Sequence, residues 1–402
     1  MKKNGLYFLL MTCWHIMGYN AFICVPVTDY VGSAYDQKPI PFFSSLGFSA
    51  SGAHQFELCP RIGQGLFQEQ VTVVEKAPGQ VRIEIPQQFF ITKTNRKKQH
   101  SYWMLEDHIV YLDQLKPEDR KKLPTPLSFK QPQQTHTNIV TLKHPFYSKE
   151  LDAYLSAGTR FVISSALPRA RHLRVYAYSA SQKKCIEIAL PKESCIFYTN
   201  KETNDEKVKQ MISIIRNWCS TSDSHIPYVL GGSSYIDRIT TDDVTKQTVP
   251  NTNGSHSTIF KPVYSQWPLT GLDCAALICR TAQIAQLPFY YKNSITMALL
   301  LKPLSPKDQL HEGDVIWVPG HVMMIADVKN NSIFEARSYD HGYGKVQEIP
   351  IAKVFDGILT LSDLVKHFHA HKTLYRKDIT GTVRDTYHDW KILTLSSAWS
   401  GC

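Results

Sequence analysis

The sequence predicts an α+β domain preceded by two small all-β barrels. Three observations carry this reading: apolar residues alternate at period two through the first half, helical spacing begins only near Asn204, and short strand signals return after two helices. A chain of 402 residues, 43% hydrophobic and 20% charged, holds enough apolar material for two or three packed domains. That balance excludes a wholly disordered polypeptide.

Lys2 and Lys3 precede an apolar run from Leu6 to Met17, which has the layout of a secretory signal and is shorter than the roughly 20 residues of a spanning helix. Residues 1–23 are therefore expected to be a signal peptide, and the mature protein to be exported to the periplasm, the cell envelope or the medium, with no stable membrane span. An uncleaved anchor is the alternative, because small residues are poorly placed for cleavage around Ala21.

Residues 55–120 read as the first β unit. Val71, Val73, Val81, Ile83 and Ile85 alternate about a turn at Ala77-Pro78-Gly79, and Tyr102 to Met104 and Ile109 to Tyr111 continue the pattern. Residues 121–140, with Pro124, Pro126, Pro132 and the polar run from Gln131 to Asn138, read as a linker. Residues 141–200 form the second β unit, on the clusters around Phe161, Val175 and Ile186. The third unit spans 204–355. Val208, Met211, Ile212, Ile215 and Trp218 recur at helical spacing behind the capping-type pair Thr203 and Asn204. A second helix runs from Asp273 to about Gln286, and strands follow at Asp314 to Val318, His321 to Val328 and Ile333 to Arg337. Residues 356–402 are a C-terminal extension without an assigned role.

Lys and Arg number 45 against 35 Asp and Glu, giving a formal charge of +10 that favours an anionic partner. The basic runs Arg96-Lys97-Lys98 and Arg120-Lys121-Lys122 lack interleaved aromatics, so nucleic acid is not expected. The nine cysteines contain no C-x-x-C pair, which argues against a structural metal domain. Cys185 and Cys195 flank a hairpin and could pair in an oxidising compartment. His367 and His371 share a helical face, on a helix with Ser362 as its cap, and His369 lies between them, but no carboxylate or cysteine completes a shell. No metal and no cofactor are expected.

The chemistry centres on Cys274 in Gly271-Leu272-Asp273-Cys274-Ala275-Ala276-Leu277, at the start of a helix that Asp273 can cap. A thiol there meets the positive end of the helix dipole and unpaired backbone N–H groups, which are expected to favour the thiolate. Upstream lies Ile226-Pro227-Tyr228-Val229-Leu230-Gly231-Gly232; downstream, Gly313-Asp314-Val315-Ile316-Trp317 leads to Gly320-His321-Val322. This ordered set resembles the NlpC family of cell-wall cysteine peptidases over about residues 204–355.

The resemblance implies a papain-like fold for the third unit and SH3-like barrels for the two β units. It implies that Cys274 attacks a scissile carbonyl and that His321 pairs with the thiolate and then protonates the leaving amine. It places a polar group on the strand after the histidine, for which Glu335 is the candidate; a hairpin turning at Asn330-Asn331 would pair Glu335 nearer Ala326 and make the contact with His321 diagonal. Tyr228 and the Cys274 N–H would serve the oxyanion, and Asp273 would hold the free amine of an L-Ala-γ-D-Glu stem peptide. The implied activity is hydrolysis of γ-D-glutamyl-diamino acid amide bonds in peptidoglycan stem peptides or free muropeptides.

Four features depart from the family pattern: Ala275 and Ala276 stand where Ser-Gly is common, Met323 replaces a small residue, a glutamate is an unusual third member, and the segment 233–270 is long. These leave two further readings, a wall-binding protein with a degenerate peptidase domain and a related cysteine acyltransferase or protein peptidase.

Overall fold

A computed structural model describes residues 18–34, 61–88, 90–92, 96–130, 138–165, 171–197, 201–220, 224–236, 238–240, 244–250, 256–262, 269–338 and 344–400. The first unit is a seven-stranded antiparallel sheet of β1 (Tyr19–Ile23), β2 (Val27–Val31), β3 (Arg61–Leu66), β4 (Gln70–Ala77), β5 (Gln80–Glu84), β6 (Ser101–Leu105) and β7 (Ile109–Tyr111), in the order β3-β2-β6-β5-β4-β1-β7. The alternation of Val71, Val73, Val81 and Ile83 puts these side chains in one core, and Gly79, at φ 69°, closes the β4–β5 turn.

Two boundaries move. Strand β1 pairs with β4 and β7, and Ala21, Phe22 and Ile23 are fully buried, so the folded unit begins at Tyr19 and not at 55. A leader reaching residue 23 would include a strand of this sheet. The apolar run expected to be its core lies outside the described residues.

The second unit is a five-stranded sheet of β8 (Ile139–Leu142), β11 (Arg160–Ser165), β12 (His172–Ser179), β13 (Lys184–Pro191) and β14 (Cys195–Phe197), in the order β13-β12-β11-β8-β14. A hairpin of β9 (Phe146–Ser148) and β10 (Ala153–Leu155) stands beside it. The expected linker thus runs into a strand at Ile139, and its proline segment is tied down: the Pro124 carbonyl accepts from Gln70 and the Thr125 carbonyl from Arg160. Cys185 and Cys195 are both free thiols, and their strands stand at opposite ends of the sheet order. The disulfide they could have formed is therefore absent.

In the third unit, α1 (Asn204–Cys219) starts with a capping box in which Thr203 and Glu206 satisfy each other's backbone N–H. The long insertion contains an antiparallel hairpin, β16 (Val244–Pro250) with β17 (His256–Pro262), beyond β15 (Ser233–Ser234), which pairs with β18 (Gly271–Leu272). Helices α2 (Cys274–Ile284) and α3 (Ser294–Leu300) follow. The sheet comprises β19 (Lys302–Pro303), β20 (Val315–Val318), β21 (His321–Asp327), β22 (Ser332–Arg337), β23 (Lys345–Pro350) and β26 (Lys391–Thr394), in the order β19-β26-β20-β21-β22-β23. One face packs on α1 and α2 through Val322, Met324 and Phe334; the other packs on α4 (Leu361–His369) through Met323, Ile325 and Ile333.

The expected C-terminal extension is therefore part of this domain. Strand β26 lies between β19 and β20, and a hairpin of β24 (Leu374–Lys377) with β25 (Val383–Tyr387) precedes it. Helix α4 is capped by Thr360 with Asp363, not by Ser362, and His371, at φ 50°, lies past its end and off the helical face of His367.

The first β unit is clamped onto α2. The Arg280 guanidinium, from α2, pairs with Glu69 at 2.7 Å and donates to the carbonyls of Ser233 and Gln64. Arg280→Ala strands a largely buried carboxylate and is expected to cost about 3–5 kcal/mol in a urea titration.

Candidate active site

The nucleophile's position follows from local rules. The Asp273 carboxylate accepts from the Ala276 N–H at 2.6 Å, so the helix starts at Cys274 and the Cys274 N–H has no intrahelical acceptor. The strand before it is wedged in place: a Cβ on Gly271 would lie 2.5 Å from the Pro227 carbonyl oxygen and 2.4 Å from Val229. Only glycine lets Pro227 to Val229 pass this close to Leu272, whose N–H donates to Pro227. Gly231, at φ 70°, faces the Arg61 carbonyl at 2.4 Å from a hypothetical Cβ, and Arg61 donates to the Leu230 carbonyl. Tyr228 bridges Leu272 in this same segment and is half-buried against the core beside the nucleophile helix.

Burial overrides the helix dipole at Cys274. The residue is 9% exposed, and desolvation, followed by the nearby Asp273 charge, pushes its thiol up to about 12. The backbone N–H groups of Val322 and Ala275 and the Lys292 ammonium oppose this rise without reversing it. The expectation of a thiolate favoured by the helix terminus is corrected accordingly.

His321 opens β21, next to Val322, whose N–H reaches the Cys274 sulfur. No hydrogen bond joins that sulfur to the imidazole. The imidazole instead turns Nε2 toward Glu335, with Oε2 at 3.6 Å, and toward Arg376, with Nη2 at 3.3 Å. Burial, then the Arg376 charge, lowers its pKa to about 4. Glu335 reaches it because β21 and β22 pair as Met324 with Phe334 and Ile325 with Ile333, with an irregularity before Asp327. Continuing that register sets Glu335 against Met323, two residues from His321 on the same face, and not against Ala326. The contact is diagonal, as expected, but from the other end of the strand.

Glu335 is fully buried, and burial alone would raise its pKa. The Arg376 guanidinium at 2.6 Å, with His321 and Arg337, holds it down to about 2, and Gln347 donates to its other oxygen at 3.0 Å. Arg376 stands on β24, in the segment to which the sequence assigned no role.

Asp273 also departs from expectation. Oδ1 caps the helix and Oδ2 holds the Lys292 ammonium at 2.9 Å, with the lysine side chain 3% exposed. A substrate amine would have to displace Lys292, so the geometry makes this residue a scaffold for the nucleophile. Lys292 was not singled out in the sequence. Among the described residues no cluster of His, Cys, Asp and Glu is arranged to hold a metal ion, and no helix is long and apolar enough to cross a membrane.

A cysteine at a helix start, a histidine on the adjacent sheet and a carboxylate beside the histidine define a mixed α/β protein with a cysteine–histidine site. The solved structure of an NlpC/P60 family protein from Bacillus cereus aligns with a TM-score of 0.52 at 16% identity, covering 83% of this chain and 94% of that one. The shared fold therefore extends across the β units as well as the third domain. An NlpC/P60 endopeptidase from Photobacterium damselae and NlpC1 from Trichomonas vaginalis also align, at 8% and 11% identity, covering 94% and 87% of this chain and 73% and 94% of theirs. Their TM-scores are 0.45 and 0.31. No protein-family model and no curated protein matches the sequence.

The pH dependence of stability follows in sign. His321 titrates lower folded than unfolded, so the unfolded chain binds the extra proton and stability falls as pH drops from about 6.5 toward about 4. His321→Gln is expected to flatten that part of the slope in denaturant titrations repeated across this range, relative to the unaltered protein.

Proposed function

We propose that the protein is an exported cysteine peptidase that hydrolyses amide bonds in peptidoglycan stem peptides, at the bond between γ-D-glutamate and a diamino acid. The observation carrying this reading is the Cys274 sulfur at the start of α2, against the Val322 N–H and one residue from the buried His321–Glu335 pair. His321 takes the thiol proton as Cys274 attacks the carbonyl, then gives it to the leaving amine. A water, deprotonated by the same imidazole, releases the acyl group. The Cys274 N–H, free of any intrahelical acceptor, stabilises the oxyanion, with Tyr228 nearby. The two β units are read as SH3-like wall-binding modules, and the formal charge of +10 suits an acidic envelope.

The buried thiol and the missing sulfur–imidazole hydrogen bond favour a second reading, a wall-binding protein with an inactive peptidase domain.

The test is incubation with Ala-γ-Glu-diamino acid peptides, with free and with acetylated N-termini, followed by mass spectrometry. The unaltered protein should cleave and Cys274→Ala should not, while Glu335→Ala should lose about 10²-fold or more in kcat/KM. Binding of sacculi without cleavage of either peptide would support the second reading. Because Asp273 is engaged with Lys292, acetylation should change the rate little; strict dependence on the free amine would return amine recognition to Asp273.

A further inference from the structure

A buried cation from the far end of the chain reaches the His321–Glu335 pair. Arg376 is 3% exposed, and its Nη2 lies 2.6 Å from Glu335 Oε2 and 3.3 Å from His321 Nε2. The hairpin that carries it is held to the domain from both sides. Asp356 donates its N–H to the Tyr375 carbonyl, and Arg337 donates to the Lys377 carbonyl at 2.9 Å. Tyr387, on the paired strand, also hydrogen-bonds Arg376.

We propose that Arg376 is a positioning residue: it keeps Glu335 ionised and aimed at Nε2 of His321 while its own charge keeps the imidazole neutral, so the site rests as a thiol beside a neutral base.

This inference rests on the cysteine peptidase reading and adds the resting proton inventory and the residue that sets it. The charge count around His321 supports it. The charged groups facing the imidazole are Glu335 and Arg337 from β22 and Arg376 from β24, and Asp385 on β25 stands opposite Arg376. Gln347 from β23, bonded to Glu335, is neutral, as is Tyr387 from β25, bonded to Arg376. The Arg376 guanidinium lies 2.6 Å from the Glu335 carboxylate, so that carboxylate's charge is already matched before the imidazole accepts a proton. A carboxylate alone beside His321 would favour the imidazolium; Arg376 cancels that effect. The acyl-transfer step then balances simply. The Cys274 proton passes to the imidazole as the sulfur–carbon bond forms, and the same proton leaves with the amine as the amide bond breaks.

The test is the His321 ring titration, followed by NMR in the resting full-length protein, beside the pH profile of kcat/KM. In the unaltered protein both should break near pH 4. Arg376→Ala should move the ring titration up by about 1–3 units, the size expected when an opposite charge 4–6 Å away loses its neutralising partner. Arg376→Lys, which keeps the cation, should return it toward the unaltered value. A folded Arg376→Ala protein with an unmoved titration, or an Arg376→Lys protein that titrates like the alanine variant, would overturn the proposal. If Arg376→Ala does not fold, Glu335→Gln decides: with the carboxylate charge gone and the arginine left, the ring should titrate no higher than in the unaltered protein, and an upward move contradicts the proposal. The ring titration needs no turnover. A protein that cleaves no peptide but shifts as stated would sink the peptidase reading and leave the positioning role of Arg376 standing.

Discussion

A carboxylate sealed from water stays ionised only beside a cation, and here that cation comes from the last part of the chain. Glu335 is fully buried, and Arg376 is what lets it stay charged next to His321. Much of the domain's construction follows from this pair. The C-terminal segment has to fold back so that β24 can present Arg376, and β26 then enters the sheet between β19 and β20. The segment that looks like a tail is thus fixed by strand pairing at one end and by a buried ion pair at the other.

The nucleophile is held by a second set of constraints that does not involve charge on the thiol. Gly271 lets two backbones cross within van der Waals limits, Asp273 fixes the first residue of α2, and Lys292 neutralises Asp273. The first β unit presses on this same region through Arg61, Gln64 and Glu69. Its place in the fold is therefore structural for the site, whatever else its outer surface binds.

Local signals were legible in the sequence. The period-two alternation around Val71 and Val81, the cap at Thr203 and the start of α2 at Cys274 each depend on a few neighbouring residues, and each forms as read. Long-range features were not. Arg376 lies 55 positions from His321, in a segment with no motif, and nothing local marks it as buried. Glu335 was reachable through hairpin logic, but the irregularity before Asp327 shifts its partner from Ala326 toward Met323. Lys292 lies 19 positions past Asp273 and removes the free carboxylate that the resemblance assigned to a substrate. Strand β1 was masked by its position directly after an apolar, signal-like run. The Cys274 thiol shows the general limit: the helix terminus is visible in sequence, whereas the burial that outweighs it is not.

The central claim is that the resting site holds a thiol and a neutral imidazole, with Glu335 and Arg376 sharing the buried charge. The most direct measurement is the rate of Cys274 alkylation by iodoacetamide against pH in the resting protein, with Cys274→Ala marking the background from other cysteines. Burial that pushes the thiol up to about 12 predicts a rate that is low at neutral pH and climbs through the alkaline range without a plateau below it. A plateau of fast alkylation extending from about pH 4 to 8, the mark of a preformed thiolate–imidazolium pair, would contradict the account.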